Sequence, residues 1–138
     1  GGRGGCPIPG PAVDDGPIEF KLMKMMQDHG YSLREAKRKL HRGDHIYVYR
    51  LAYSHHGIYD GHGGVYHYSG EIFAPEAAMI QKTSLEEFAG GARIFRYDYQ
   101  AVVPPDEIIA RAESRLGEQD YDLIDNNCER FAKWCRGL

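Results

Sequence analysis

The stretch His55-His56-Gly57-Ile58-Tyr59-Asp60-Gly61-His62-Gly63-Gly64-Val65-Tyr66-His67-Tyr68-Ser69 decides the fold. Its two flanks, His55 to Tyr59 and Gly64 to Ser69, read as strands rich in aromatic and β-branched residues. Between them, Asp60-Gly61-His62-Gly63 is turn chemistry, so the segment predicts an antiparallel hairpin. A hairpin centred on Gly61 would set His55 directly opposite His67, and cross-strand partners point to the same side of a sheet. His56, one step along, points to the other side.

Further strands lie on either side. Upstream, Asp44-His45-Ile46-Tyr47-Val48-Tyr49-Arg50 has a period of two and predicts a strand. Downstream, Thr83 to Phe88 predicts a short capped helical turn, and Arg93 to Tyr99 alternates as another strand. Helices flank this meander. Ser32 with Glu35 three residues later forms a capping box that opens a helix with the apolar stripe Leu33, Ala36 and Leu40. Its other face carries Arg34, Lys37, Arg38 and Lys39. This is either a solvated helix face or a patch suited to an anionic membrane surface.

Ile18, Leu22, Met25 and Met26 recur at helical spacing over residues 17–29. Pro104-Pro105-Asp106-Glu107 starts a helix to about Leu116, with proline in the first turn and carboxylates at the positive end of the dipole. A last helix runs from Asn126 or Asn127 to about Arg136. Helices, an antiparallel meander and helices again define an α+β domain, an antiparallel sheet packed against helices.

Within the chain's 138 residues, residues 1–16 hold six glycines and three prolines and read as a flexible tail. Residues 17–42 read as a helical extension and 43–138 as the domain proper. A net charge of −3 gives no general case for nucleic acid as a partner. No run of apolar residues is long enough to cross a membrane as a helix. Three cysteines, at 6, 128 and 135, do not suggest a disulfide scaffold; free thiols and a cytoplasmic setting are expected.

The last helix concentrates the chemistry. Cys128, Phe131, Ala132 and Cys135 share one apolar face. Cys128 falls in the first turn, where unpaired N–H groups and the helix dipole lower a thiol's pKa. Cys135, two turns on, reads as packing. A nucleophilic cysteine needs a base within hydrogen-bond reach, and His55 and His67 supply one ring to take the proton and another to orient it. Four histidines and a cysteine could also gather around zinc, but their spacing matches no compact zinc signature. No metal or cofactor is expected.

These same residues carry a resemblance. Gly43-Asp44-His45-Ile46-Tyr47, His55-His56-Gly57-Ile58-Tyr59, Val65-Tyr66-His67 and Asn127-Cys128-Glu129-Arg130-Phe131 resemble the H-box and NC motifs of the lecithin:retinol acyltransferase family. That family includes the small phospholipase A/acyltransferases. The resemblance covers roughly residues 40–138 and implies a circularly permuted papain-like fold. It implies Cys128 as nucleophile, His55 as base and His67 as the member that orients His55. His56 stands where family members usually have an aromatic residue, and Asp60 where an apolar residue often follows the H-box tyrosine.

The implied activity is that of a thiol-dependent acyltransferase or phospholipase A-type enzyme. It would act on acyl esters of glycerophospholipids through an acyl-thioester, with peripheral membrane contact. The alternative is an H-box/NC module without turnover that binds a protein or membrane partner.

Overall fold

Residues 29–51, 53–69, 77–98, 103–119 and 127–138 are described by the structure, a computed structural model. Five strands, β1 (His45–Tyr49), β2 (Ser54–Tyr59), β3 (Gly64–Ser69), β4 (Met79–Ser84) and β5 (Phe95–Arg96), form one antiparallel sheet. Their order across it is β4-β3-β2-β1-β5. Among the described residues four helices accompany it: α1 (Leu33–Lys39), α2 (Leu85–Ala89), α3 (Pro105–Ser114) and α4 (Asn127–Cys135). The expected tail over 1–16, the expected helix over 17–29 (but for its last residue) and the Asn126 cap lie outside the described residues.

Alternation along the strands sorts side chains into two layers. Ile46, Val48, Tyr59 and Val65 point one way and bury against Ala36 and Leu40 of the α1 segment and Leu85 and Phe88 of α2. Ile58, Tyr66, Tyr68 and Ile80 point the other way, onto Ile108, Ile109 and Ala112 of α3 and Cys128, Phe131, Ala132 and Cys135 of α4. The sheet is thus covered on both faces, and the four-residue apolar stripe read from the last helix is the face that packs.

Local chemistry accounts for the helix ends. Ser32 Oγ accepts from Glu35 N at 3.2 Å and Ser32 N donates back to Glu35 Oε1 at 3.0 Å, the reciprocal pair expected. Ser84 ends β4 and caps α2, its Oγ accepting from Glu87 N at 3.1 Å. Gly90 closes α2 in the left-handed region at φ +57°. Arg50 donates to the last carbonyls there, Phe88 O at 2.7 Å and Ala89 O at 3.1 Å.

Two expectations need correction, and one strand lies where none was expected. The hairpin register differs by two residues: Ile58 faces Tyr66 and Tyr59 faces Val65. The reason is Asp60, which is buried and uses its carboxylate to accept from His62 N (2.6 Å) and Gly64 N (2.8 Å) and to pair with Lys82. The turn keeps the expected residues 60–63, and only the pairing across it shifts. An even shift leaves His55 and His67 on one face. Second, β4 was not anticipated. It is an edge strand in which only Ile80 is buried, so its sequence lacks a strand's apolar alternation. Its outer edge is tied near one end, with Gly117 N donating to Ile80 O (2.8 Å) and Ile80 N to Glu118 O (2.9 Å). Third, of the strand expected over 93–99, whose last residue lies outside the described residues, only Phe95–Arg96 pairs in the sheet; on the N-terminal side Ile94 bridges to Tyr31 instead.

Candidate active site

The structure brings His55 and His67 together. His55 Nε2 lies 2.8 Å from His67 Nδ1, with the rings nearly perpendicular at 82°. The backbone pairing of β2 with β3 stops at Ile58–Tyr66, so beyond that point the two strands are joined by this side-chain bond. Phe88 packs against both rings, 5.4 Å from His55 and 5.0 Å from His67 between centroids. His67 continues outward: its Nε2 lies 2.7 Å from Thr83 Oγ1. His55 Nδ1 makes no hydrogen bond among the described residues.

Burial makes both rings poor cations. Desolvation holds His55 well below the usual histidine range, and the neighbouring His67 and Arg50 add to the effect. Desolvation takes His67 down to about 4, against the pull of the Tyr68 carbonyl. Both are neutral at pH 7, the state a proton acceptor needs.

Cys128 reaches this region from the other layer. It is 1% exposed, on the first turn of α4, and its Sγ lies 3.9 Å from the carbonyl oxygen of Ser54, the residue before His55. The sulfur thus approaches the end of β2 where the ladder to β3 has lapsed. Free thiols were expected; Cys135 is free and buried, whereas Cys128 is disulfide-bonded in this structure. Burial pushes the Cys135 thiol up to about 12, in keeping with a packing role.

His56 does face away from His55, and it belongs to a second polar chain that sequence reasoning missed. Ser54 Oγ lies 2.9 Å from His56 Nε2, and His56 Nδ1 lies 2.7 Å from His45 Nε2. Tyr97 stacks on His45 at 4.6 Å and donates its hydroxyl proton to Glu129 of α4 at 3.2 Å. The shared face of His45 and His56 follows from β1 pairing Tyr47 with His56 and His45 with Ile58. That pairing was the missing signal. Thr83, Arg50 and Phe88 also escaped notice, since each meets the histidines only through the fold. Tyr59, the H-box tyrosine, accepts from Gly63 N at 3.1 Å and so braces the loop.

Among the described residues no group of three His, Cys, Asp or Glu is placed to hold a metal ion. Nor is any helix among them long and apolar enough to cross a membrane.

The structure thus joins His55 to His67 by a hydrogen bond and brings Cys128, on the first turn of α4, to the carbonyl of the neighbouring Ser54. The lecithin retinol acyltransferase family model matches residues 38–137, and the chain belongs to that family. It is similar to human lecithin retinol acyltransferase, 28% identical over 80% of this chain and 60% of that protein. It is also similar to human phospholipase A and acyltransferase 4, 29% identical over 68% of each. A third relative is Protein LEAD-SENSITIVE 1 of Arabidopsis thaliana, 27% identical over 76% of this chain and 60% of that protein. The chain thus spans little more than half the length of the first of these relatives.

Proposed function

We propose that this chain is a thiol-dependent acyltransferase or acyl-ester hydrolase acting on glycerophospholipid esters. Reduced Cys128 gives its proton to His55 Nδ1 and attacks the ester carbonyl. The tetrahedral oxyanion is met by the Cys128 backbone N–H, one of the donors that a helix start leaves unpaired. Collapse expels the alcohol, which takes the proton back from His55, and leaves an acyl-thioester. Water or an acceptor alcohol or amine then attacks that thioester with the same base.

One observation supports the reading above all: the 2.8 Å bond between His55 Nε2 and His67 Nδ1. It occupies Nε2 of His55 and leaves Nδ1 without a hydrogen bond among the described residues, open to take a proton. The relatives' names, acyltransferase and phospholipase A, support the reaction class.

A second reading, a module without turnover, is favoured by the 1% exposure of Cys128. The two readings separate on one experiment. The reduced full chain is incubated with phosphatidylcholine vesicles and its intact mass is measured. An added fatty-acyl mass, absent in Cys128→Ala, supports the enzyme. An unchanged mass with no lipid hydrolysis overturns it in favour of the module.

A further inference from the structure

We infer that Thr83 is a positioning residue whose hydroxyl sets the tautomer of the His67–His55 pair. The inference rests on the acyl-transfer reading above. His67 Nδ1 has two neighbours that ask opposite things of it. The Tyr68 carbonyl, 3.2 Å away, is an acceptor only and favours a proton on Nδ1. His55 Nε2, 2.8 Å away, accepts or donates with equal ease.

A proton on His67 Nδ1 would be fatal to the base. It would point at His55 Nε2, force the single proton of neutral His55 onto Nδ1, and leave the thiol no lone pair to use. Thr83 decides the matter. Its hydroxyl donates to the Ser84 carbonyl at 3.3 Å, which leaves its oxygen to accept. That oxygen lies 2.7 Å from His67 Nε2 and, with its own proton committed to Ser84 O, can only accept there, which puts the His67 proton on Nε2. His67 Nδ1 is then a lone pair, His55 Nε2–H donates to it, and His55 Nδ1 is bare.

The chain of donors runs His55 Nε2–H to His67 Nδ1, His67 Nε2–H to Thr83 Oγ1, and Thr83 Oγ1–H to Ser84 O. When His55 takes the thiol proton on Nδ1 it becomes a cation, and its Nε2–H bond to His67 becomes charge-assisted. No other proton has to move. Thr83 touches neither substrate nor the reacting atoms and acts only through His67. Its side chain stands on the edge strand β4, which sequence alone did not reveal.

The test uses the reduced full chain with nitrogen-15 in its histidines. Long-range proton–nitrogen correlation spectra assign the His67 tautomer directly. The Nε2–H form is expected in the parent, the Nδ1–H form in Thr83→Val, and the Nε2–H form again in Thr83→Ser. Ester turnover should fall about tenfold in kcat with KM unchanged in Thr83→Val, the scale of one lost hydrogen bond, and recover in Thr83→Ser. His67 in the Nδ1–H form in the parent, or unmoved by Thr83→Val, overturns the assignment. Thr83→Ala, read the same way, guards against a packing effect of the valine methyl. Absence of turnover in the parent with His67 on Nε2 overturns the enzymatic reading and not the tautomer assignment, so the two failures are distinct.

Discussion

His55 Nε2 and His67 Nδ1 stand 2.8 Å apart at the point where β2 and β3 no longer share backbone hydrogen bonds. Both rings project from the same face of the sheet, and Phe88 packs against each of them there. If this pair works as base and orienter, the two variants differ in kind. His55→Ala should lower kcat by about 10²–10⁴, the usual worth of a positioned base. His67→Gln, which can still accept from His55, should lose less than His67→Ala. Equal losses for the two His67 variants in a lipid hydrolysis assay would argue against the orienting role.

Cys128 and Cys135 should part company chemically. Cys128 is disulfide-bonded as found, so activity is expected to appear only after treatment with reductant. Once reduced, Cys128 should alkylate with iodoacetamide, and His55→Ala should slow that step. Cys135, with its thiol pushed up to about 12 inside the α3–α4 layer, should stay unlabelled in the folded chain. Peptide mapping by mass spectrometry reads both outcomes, and labelling of Cys135 ahead of Cys128 would reverse the assignment.

Four buried neutral histidines make the fold sensitive to acid. Desolvation holds His45 and His55 well below the ordinary range, His67 at about 4 and His56 at about 3. Unfolded, each ring binds its proton near pH 6.5. Below that pH the unfolded state holds more protons than the folded one, so stability falls as pH falls. The limiting slope is about 1.4 kcal/mol per pH unit per ring. Urea unfolding at pH 7.5 and 5.5 should show a clear drop in midpoint, shallower in His56→Asn by about one proton. A midpoint that holds or rises at pH 5.5 would contradict the burial argument.

Gly57 should tolerate no side chain. A Cβ there would stand 2.6 Å from Val65 Cγ1 and 2.9 Å from the Tyr66 carbonyl oxygen. The second contact is backbone, so β3 itself would have to move. Gly57→Ala is expected to cost about 1–3 kcal/mol, the range for overpacking a well-filled interior. The shift should also disturb the neighbouring His55–His67 bond. Chemical denaturation measures the first effect and the His67 ring nitrogen signals the second.

The sequence disclosed what depends on short-range pattern. The Ser32/Glu35 box, the strand at His45–Tyr49, the hairpin, the proline-led α3 and the four-residue face of α4 are all local rules acting without opposition. What escaped it depends on partners distant in the chain. β4 is polar because it lies at an edge, and its strand state comes from pairing with β3. The register turned on how the Asp60 side chain is satisfied, which no periodicity encodes. The site divides the same way: parity alone put His55 and His67 on one face, but Thr83, Phe88 and Arg50 reach them only through tertiary contacts. His45 and His56 were each visible as residues, yet their bond needed the β1–β2 register.

The tie between Ile80 and the Gly117–Glu118 turn has a consequence for how these molecules meet one another. A lone edge strand invites a stranger to extend the sheet. Here the outward amide and carbonyl of Ile80 are already spoken for by the chain's own turn. A newcomer seeking continuous pairing along β4 would first have to peel that turn away, so the sheet guards this flank against growing into a fibre.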